Sequence, residues 1–385
     1  MIGLVSCKDL MQENGSPLKI SDKRSLVNIL SSNTHYISNR GISNHSNPDI
    51  PYSIAWYLAT YGGGTAAAPV TYFLTSDTVY NCLGRITLPA YGRISESGAQ
   101  GVVQADPANW TAAGADNEFF KMNTGSILVH IELRLNWKPQ RGVYIKDAND
   151  VQLIDVTIHQ SKKIEQSRLI SSVNSNNLTV RDCLLRRAGC DGNESNFSRR
   201  GYLIILEGGS NIMIKKNNMA ISPSSGIGIH SSTNVTIDSN YINDTGRALI
   251  AGYTSDGITS YHNEASTGPI NRNIWITNNT VRDSQNHGIH VSGKGFHIEN
   301  NRIYNSGKNG GGSNIYLGDY KKDPVQDCSA DCTIKNNIFK NVNGVDSCPM
   351  GGGASIRLEH YQPSSVVISG NTGCLTTNYT DPSCI

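Results

Sequence analysis

Four short alternating segments in this 385-residue chain carry side chains suited to proton transfer. They are Ile227-Gly228-Ile229 followed by His230, Ile289-His290-Val291, Ile315-Tyr316-Leu317 and Ile356-Arg357-Leu358. Along a strand successive side chains point to opposite sides, so inward Ile, Leu and Val leave their neighbours outward. That parity gives an outward series: Tyr144 and Lys146, Ile205 and Glu207, Gly228 and His230, His290 and Ser292, Tyr316 and Gly318, Arg357 and Glu359. Arg247 and Tyr253 are assigned to the turn of chain between His230 and His290, and Asp319 and His360 fall one step beyond the series.

Imidazole, phenol and guanidinium in one line are the parts needed for β-elimination at a uronate. A cation neutralises the sugar carboxylate and so acidifies the neighbouring C–H, while a base and an acid move the protons. The expected base is His230 or His290, the donor to the leaving oxygen Tyr253 or Tyr316, and the carboxylate holder Arg247 or Arg357. Lys146, Glu207, Asp319, Glu359 and His360 are expected to line the path of the substrate. An epimerase would use the same parts without expelling the leaving group. Glycoside hydrolysis usually needs two carboxyl groups about 5 to 9.5 Å apart. Glu207 and Glu359 lie five segments apart, roughly 24 Å at the strand spacing, so only Asp319 with Glu359 forms an adjacent acidic pair.

These residues share a face only if the segments stack, and a repeat says that they do. An apolar anchor, a few polar residues rich in Asn and a second apolar residue recur as Leu153–Ile158, Val180–Leu185, Ile214–Met219, Ile237–Ile242, Ile276–Val281, Ile298–Ile303 and Ile334–Phe339, with a decayed copy at 368–373. Successive anchors are 27, 34, 23, 39, 22, 36 and 34 residues apart, a base period near 22 or 23 with insertions. Such spacing marks a solenoid and lacks the regular period of about 40 to 45 expected of a propeller. Asn217, Asn240, Asn279, Asn301 and Asn337 recur at the bend, where Asn tolerates a left-handed backbone and can bond to the Asn stacked on it. The expected fold is an all-β, right-handed parallel β-helix, with regular rungs over about 140–373.

The earlier segments Tyr72–Leu74, Arg85–Leu88, Gly101–Gln104 and Ile127–Ile131 read as less regular rungs. Ser53–Tyr61, ahead of Gly62-Gly63-Gly64-Thr65, has helical spacing and is expected to be a short capping helix over the open end of the coil. Residues 21–385 thus form one domain, with 1–20 an export or flexible segment. The helix, the Gly-Gly-Thr and Thr71-Tyr72-Phe73-Leu74, with the Asn-bearing rungs of 150–373, resemble the pectate-lyase-like superfamily of right-handed parallel β-helix proteins. That resemblance implies the fold and an acidic polysaccharide as substrate. The superfamily spans lyases, hydrolases, epimerases, tail spikes and adhesins. The Asp-Pro-His motif of alginate epimerases and the paired-Asp and Gly-His-Gly signatures of polygalacturonases are absent, and Asn286-His287-Gly288-Ile289-His290 only approaches the latter.

Composition narrows the partners. With 33 basic and 31 acidic residues the net charge is +2, no charged run suggests nucleic acid, and no apolar stretch nears the ~20 residues of a membrane helix. Nine cysteines suggest an oxidising, extracytoplasmic home with local bridges Cys183–Cys190, Cys328–Cys332 and Cys374–Cys384. Leu4-Val5-Ser6-Cys7 is similar to a lipobox, which implies a lipid anchor at Cys7. Asp319, Asp323, Asp327 and Asp331 are spaced evenly and could hold calcium; no residue set implies another cofactor or metal. The leading reading is a lyase acting on an extended uronate polysaccharide, as a monomer or homotrimer. The alternatives are a glycoside hydrolase of the same fold and a non-catalytic adhesin or tail spike, in which Tyr and Trp would serve as sugar-stacking platforms.

Overall fold

The computed structural model describes residues 33–76, 78–96, 98, 100–111, 117–164, 166–190, 201–247, 255–260, 270–308, 312–318, 330–340, 355–359, 363–373 and 377–380. Its strands form three sheets of 12, 11 and 11 strands, and every strand pairs in parallel with the strands one coil before and after it. After the first strand, Thr34–Ile37, each coil contributes one strand to each sheet, the architecture of a parallel β-helix. Among the described residues pairing begins at Thr34 with Thr71, well ahead of the region that reads as regular from sequence.

The anchors stack in register. On the first sheet Leu128, Leu153, Val180, Ile214, Ile237, Ile276, Ile298 and Ile334 form one inward column. On the third, Leu133, Ile158, Leu185, Met219, Ile242, Val281, Ile303 and Phe339 form another. All are fully buried, and at roughly 2 kcal/mol for each large apolar side chain this continuous core is the main stabilising term.

Between these two sheets the bend is closed by a buried amide ladder. Asn217, Asn240, Asn279, Asn301, Asn337 and Asn371 each pass the Nδ2 hydrogen to a backbone carbonyl, as from Asn279 to Ile237 O at 2.8 Å. The first five also bind the next amide, Asn279 Nδ2 to Asn301 Oδ1 at 3.0 Å for example. The left-handed residue of the bend is the one before the ladder, as at Lys216, Ser239, Asn278, Asn300 and Asn336, not the ladder Asn itself.

Cys183 takes the ladder position one coil earlier, its N–H donating to Asn217 Oδ1 at 2.9 Å. The expected Cys183–Cys190 bridge is therefore not formed: Cys183 is a buried thiol turned into the stack, facing the Arg181 carbonyl at 3.3 Å, and burial pushes it up to about 12. Cys332, expected to bridge to Cys328, is likewise a buried thiol against Ala330 O. The Cys374–Cys384 pair, Cys7 and three of the four evenly spaced aspartates (Asp319, Asp323 and Asp327) lie outside the described residues. The described cysteines thus give no support to the oxidising compartment inferred from their spacing.

The N-terminal helix spans Ile54–Tyr61. The Ser53 hydroxyl caps it by accepting from Trp56 N at 2.9 Å, and Gly62, with φ of 66°, ends it. Ile54 and Leu58 are buried, and the helix packs against the strands Thr34–Ile37 and Ile86–Leu88. Among the described residues no helix is long and apolar enough to cross a membrane.

Candidate functional site on the second sheet

The second sheet brings Gly228, Thr259, His290, Tyr316 and Arg357 into one outward column, each registered against the next. The rung between His230 and His290 is Ile258–Ser260, which contributes Thr259 to the column and Asp256 just before it. This corrects the placement of Arg247. That residue lies on the corner after the third-sheet strand Tyr241–Thr245, where its Nε donates to Asp244 Oδ1 at 2.7 Å. Tyr253, Asp319 and His360 lie outside the described residues.

Asp256 and His287 occupy equivalent places in successive coils, each directly before a glycine of the stack Gly226, Gly257, Gly288. A Cβ on Gly257 would sit 2.6 Å from the Gly288 carbonyl, so only glycine lets the coils approach this closely and turn the preceding side chains onto the sheet. Asp256 is completely buried and His290 is 1 % exposed. Asp256 Oδ1 accepts from the His287 N–H at 2.9 Å, and Oδ2 lies 3.2 Å from His290 Nδ1. Burial opposes ionisation of Asp256, but the hydrogen bonds from His290 Nδ1 and from the His287 N–H hold its carboxyl below the ordinary range. With Asp256 ionised, the tautomer assigned from these partners has His290 donating from Nδ1, so Nε2 carries the lone pair.

His287 is set the other way. Its Nδ1 accepts from the Ser313 N–H at 2.9 Å, so the proton of the neutral ring is on Nε2. Burial lowers its pKa to about 3, the adjacent Asp256 notwithstanding. Asp256, His287 and His290 offer donor atoms within 4.8 Å of one another, a spacing that could hold a metal ion. Their bonding does not fit one: the Nδ1 lone pair of His287 is spent on a backbone donor, and both Asp256 oxygens are engaged.

Tyr316 lies over this pair, its ring 4.6 Å from that of His290 and 4.7 Å from that of His287. Its hydroxyl donates to Glu359 Oε2, and Arg357 lies 5.3 Å from the ring on the other side. Arg357 Nε donates to Glu359 Oε1 at 2.7 Å, and Nη2 bonds the same oxygen. Glu359 thus orients both Tyr316 and Arg357, and the Arg357 side chain, 37 % exposed, forms the accessible rim.

The structure therefore brings together His290, Tyr316, Arg357 and Glu359. His230 shares their sheet but pairs with Glu207, two coils earlier and one column across, beside the bidentate ion pair of Arg168 and Glu207 at 2.6 and 3.1 Å. Lys146 lies two coils before Glu207, pairing with Val173, which in turn pairs with Glu207. Sequence reasoning missed Asp256 and His287. The signal was the recurring Gly-Ile that opens each rung, Gly226-Ile227, Gly257-Ile258 and Gly288-Ile289, with the functional side chain just ahead of it.

Known proteins now place this architecture. The family described as the right-handed beta helix region matches residues 121–271. The fold is the right-handed parallel β-helix. Among solved structures, this β-helix is similar to the Dettilon tailspike protein, at 13% identity and a TM-score of 0.58 over 91% of this chain and 69% of that one. A polygalacturonase from Erwinia carotovora ssp. carotovora matches at 13% identity and a TM-score of 0.56, over 91% of this chain and 97% of its own. The A-module of an Azotobacter vinelandii mannuronan C-5 epimerase matches at 13% identity and a TM-score of 0.51, over 90% and 99%. At such identity the likeness is one of fold. No curated protein sequence matches the chain.

Proposed function

We propose that the second sheet binds an extended uronate polysaccharide and cleaves it by β-elimination at the column His290, Tyr316 and Arg357. The observation that carries this reading is that base, acid and cation stand on three consecutive coils, each already oriented by a carboxylate. Arg357, held through Nε and Nη2, has Nη1 left for the sugar carboxylate, whose neutralisation acidifies the adjacent C–H. His290 Nε2 takes that proton, and Asp256 stabilises the imidazolium that forms. Tyr316 gives its proton to the departing glycosidic oxygen and recovers one from solvent through Glu359. The Tyr316 ring covers His290, so this step requires the ring to move off Nε2 when substrate binds. Two of the similar structures, a polygalacturonase and a mannuronan epimerase, bear names that refer to uronate polymers, which agrees with the substrate class.

Among the described residues, which do not include Asp319, the carboxyl groups suit hydrolysis less well. Asp256 and Glu359 are three coils apart, about 14 Å at the strand spacing, beyond the ~9.5 Å over which two carboxyl groups cooperate on one glycosidic bond.

The test is to incubate the protein with polygalacturonate and with alginate and to follow the ultraviolet absorbance of unsaturated uronate ends. The expected result is absorbance that grows with time and is abolished in Tyr316→Phe and His290→Ala. Reducing ends without absorbance would indicate hydrolysis, and binding without either product would indicate an adhesin or tail-spike role; each overturns the lyase reading.

A further inference from the structure

A second concave surface lies on the third sheet, away from the column just described. It is a cleft of about 620 Å³, a size suited to one or two sugar residues, crossed by the strands Ile131–Arg134, Thr157–His159 and Leu184–Arg186. Their outward side chains stack as Glu132, Thr157, Leu184 in one column and Arg134, His159, Arg186 in the next.

Among the described residues the one carboxylate that lines the cleft is already matched. Glu132 Oε1 accepts from Arg134 Nε at 2.6 Å and from His159 Nε2 at 2.9 Å, and Oε2 accepts from Arg134 Nη2 at 3.1 Å. Burial disfavours its charge, but these bonds hold its carboxyl below the ordinary range. Arg186 and Arg187 are not matched in this way. Arg186 Nη2 bonds the amide oxygen of Asn218 at 2.9 Å, and among the described residues neither arginine has an ion pair. Burial, offset in part by Tyr241, lowers the Arg186 guanidinium from its ordinary value.

The corner that closes the cleft is strained. One coil after another places a left-handed residue there, and further along the stack these are Asp244, Asp283 and Asn305, types that accept that backbone readily. At the cleft they are Arg187, with φ of 62°, and Ile221, with φ of 65°. A β-branched residue in this region is a true outlier, and its main chain is held by the Ala188 N–H donating to Ile221 O at 3.1 Å. The chain accepts strain at the two positions that set a guanidinium and an apolar side chain on the rim. Leu184, 36 % exposed, adds a second apolar surface beside them.

Unmatched guanidiniums next to exposed aliphatic carbon suit a ligand with a carboxylate on one edge and a C–H face on the other. We propose that this cleft is a non-catalytic binding site for a uronate residue of an acidic polysaccharide, with Arg186 and Arg187 on the carboxylate and Leu184 and Ile221 under the sugar ring. It would hold polymer on a different side of the β-helix from the column of His290, Tyr316 and Arg357, and it stands whether or not that column cleaves.

The test uses the full chain carrying Arg357→Gln, which weakens retention by the second sheet, in affinity electrophoresis through gels containing polygalacturonate, alginate or neutral dextran. The expected result is retardation by at least one of the two polyanions and none by dextran, with Arg186→Gln/Arg187→Gln lowering the apparent affinity about ten-fold or more. A second variant separates binding from folding: Ile221→Asn relieves the corner and removes the aliphatic surface, so the melting temperature rises while retardation weakens. Absence of retardation by both polyanions, or retardation unchanged in the double arginine variant, overturns the proposal. Failure to find unsaturated ends leaves these outcomes unaffected, so the two readings fail separately.

Discussion

On the second sheet, three ionisable groups are each met by another from the same network: His290 by Asp256, Arg357 by Glu359, and the Tyr316 hydroxyl by Glu359. On the third sheet one cluster, Glu132 with Arg134 and His159, is matched, while Arg186 and Arg187 stand beside it with no carboxylate partner among the described residues. The first arrangement fixes protonation states and directions, as chemistry requires. The second leaves positive charge for a ligand to complete, as binding requires. Burial separates them too: Asp256 and His290 are enclosed, whereas the third-sheet cleft is open.

The two faces are expected to differ most in kinetics. Arg357→Gln is expected to slow formation of unsaturated ends by ~10²- to 10³-fold, whereas Arg186→Gln leaves the rate on short oligomers within about two-fold. Equal losses in the two variants would erase the distinction between a catalytic and a binding face.

Stability gives the next contrast. Asp256→Ala strands the buried His290 and His287 donors and is expected to cost about 3 kcal/mol, read as a shift of the urea midpoint. Glu132→Ala, in a partly exposed cluster, is expected to cost about 1 kcal/mol or less. Similar costs would mean that the second-sheet pair is no more buried in solution than the third-sheet one.

Acid titration sharpens the comparison at a smaller scale. The pKa of His287 lies near 3 in the folded chain, below the value of about 6.5 expected when unfolded. Below pH ~6.5 the unfolded chain takes up a proton that the folded one refuses, so stability is lost as the pH falls from there toward ~3. Between pH 7 and 5 the expected loss is about 2 kcal/mol, and His287→Asn, whose amide oxygen can still accept from Ser313, removes it. His45, lowered to about 4 by burial, acts with the same sign and remains in the variant. An unchanged acid slope in His287→Asn would show that this ring titrates freely.

The stacking was legible because its determinants are local. Ile237, Asn240 and Ile242 repeat with the same spacing at Ile276, Asn279 and Val281, so strand, bend and strand can be read in each copy without reference to the rest. The outward parity of His290, Tyr316 and Arg357 followed from the same alternation. The coil around Ile258 was not legible: its strand is only three residues, Ile258-Thr259-Ser260, two of them polar, and so lacks an apolar alternation. That gap drew Arg247 onto the sheet when it belongs to the corner with Asp244. The bridge expected at Cys183 failed for a related reason. Seven residues of spacing suggested a staple, while the stack on Asn217 had already turned the thiol into the core.

Alternation of apolar residues and recurring Asn, properties of short stretches, were sufficient to determine that this chain winds into parallel coils and which side chains face out. Which of those side chains meet was decided by the lengths of the insertions, which set how many coils separate two residues and where each strand begins. Asp256 and His290 are 34 residues apart and touch because one coil lies directly on the next. Arg187 and Ile221 share a strained rim because two corners superpose. Contacts of this kind depend on distances across the stack, which no local pattern encodes.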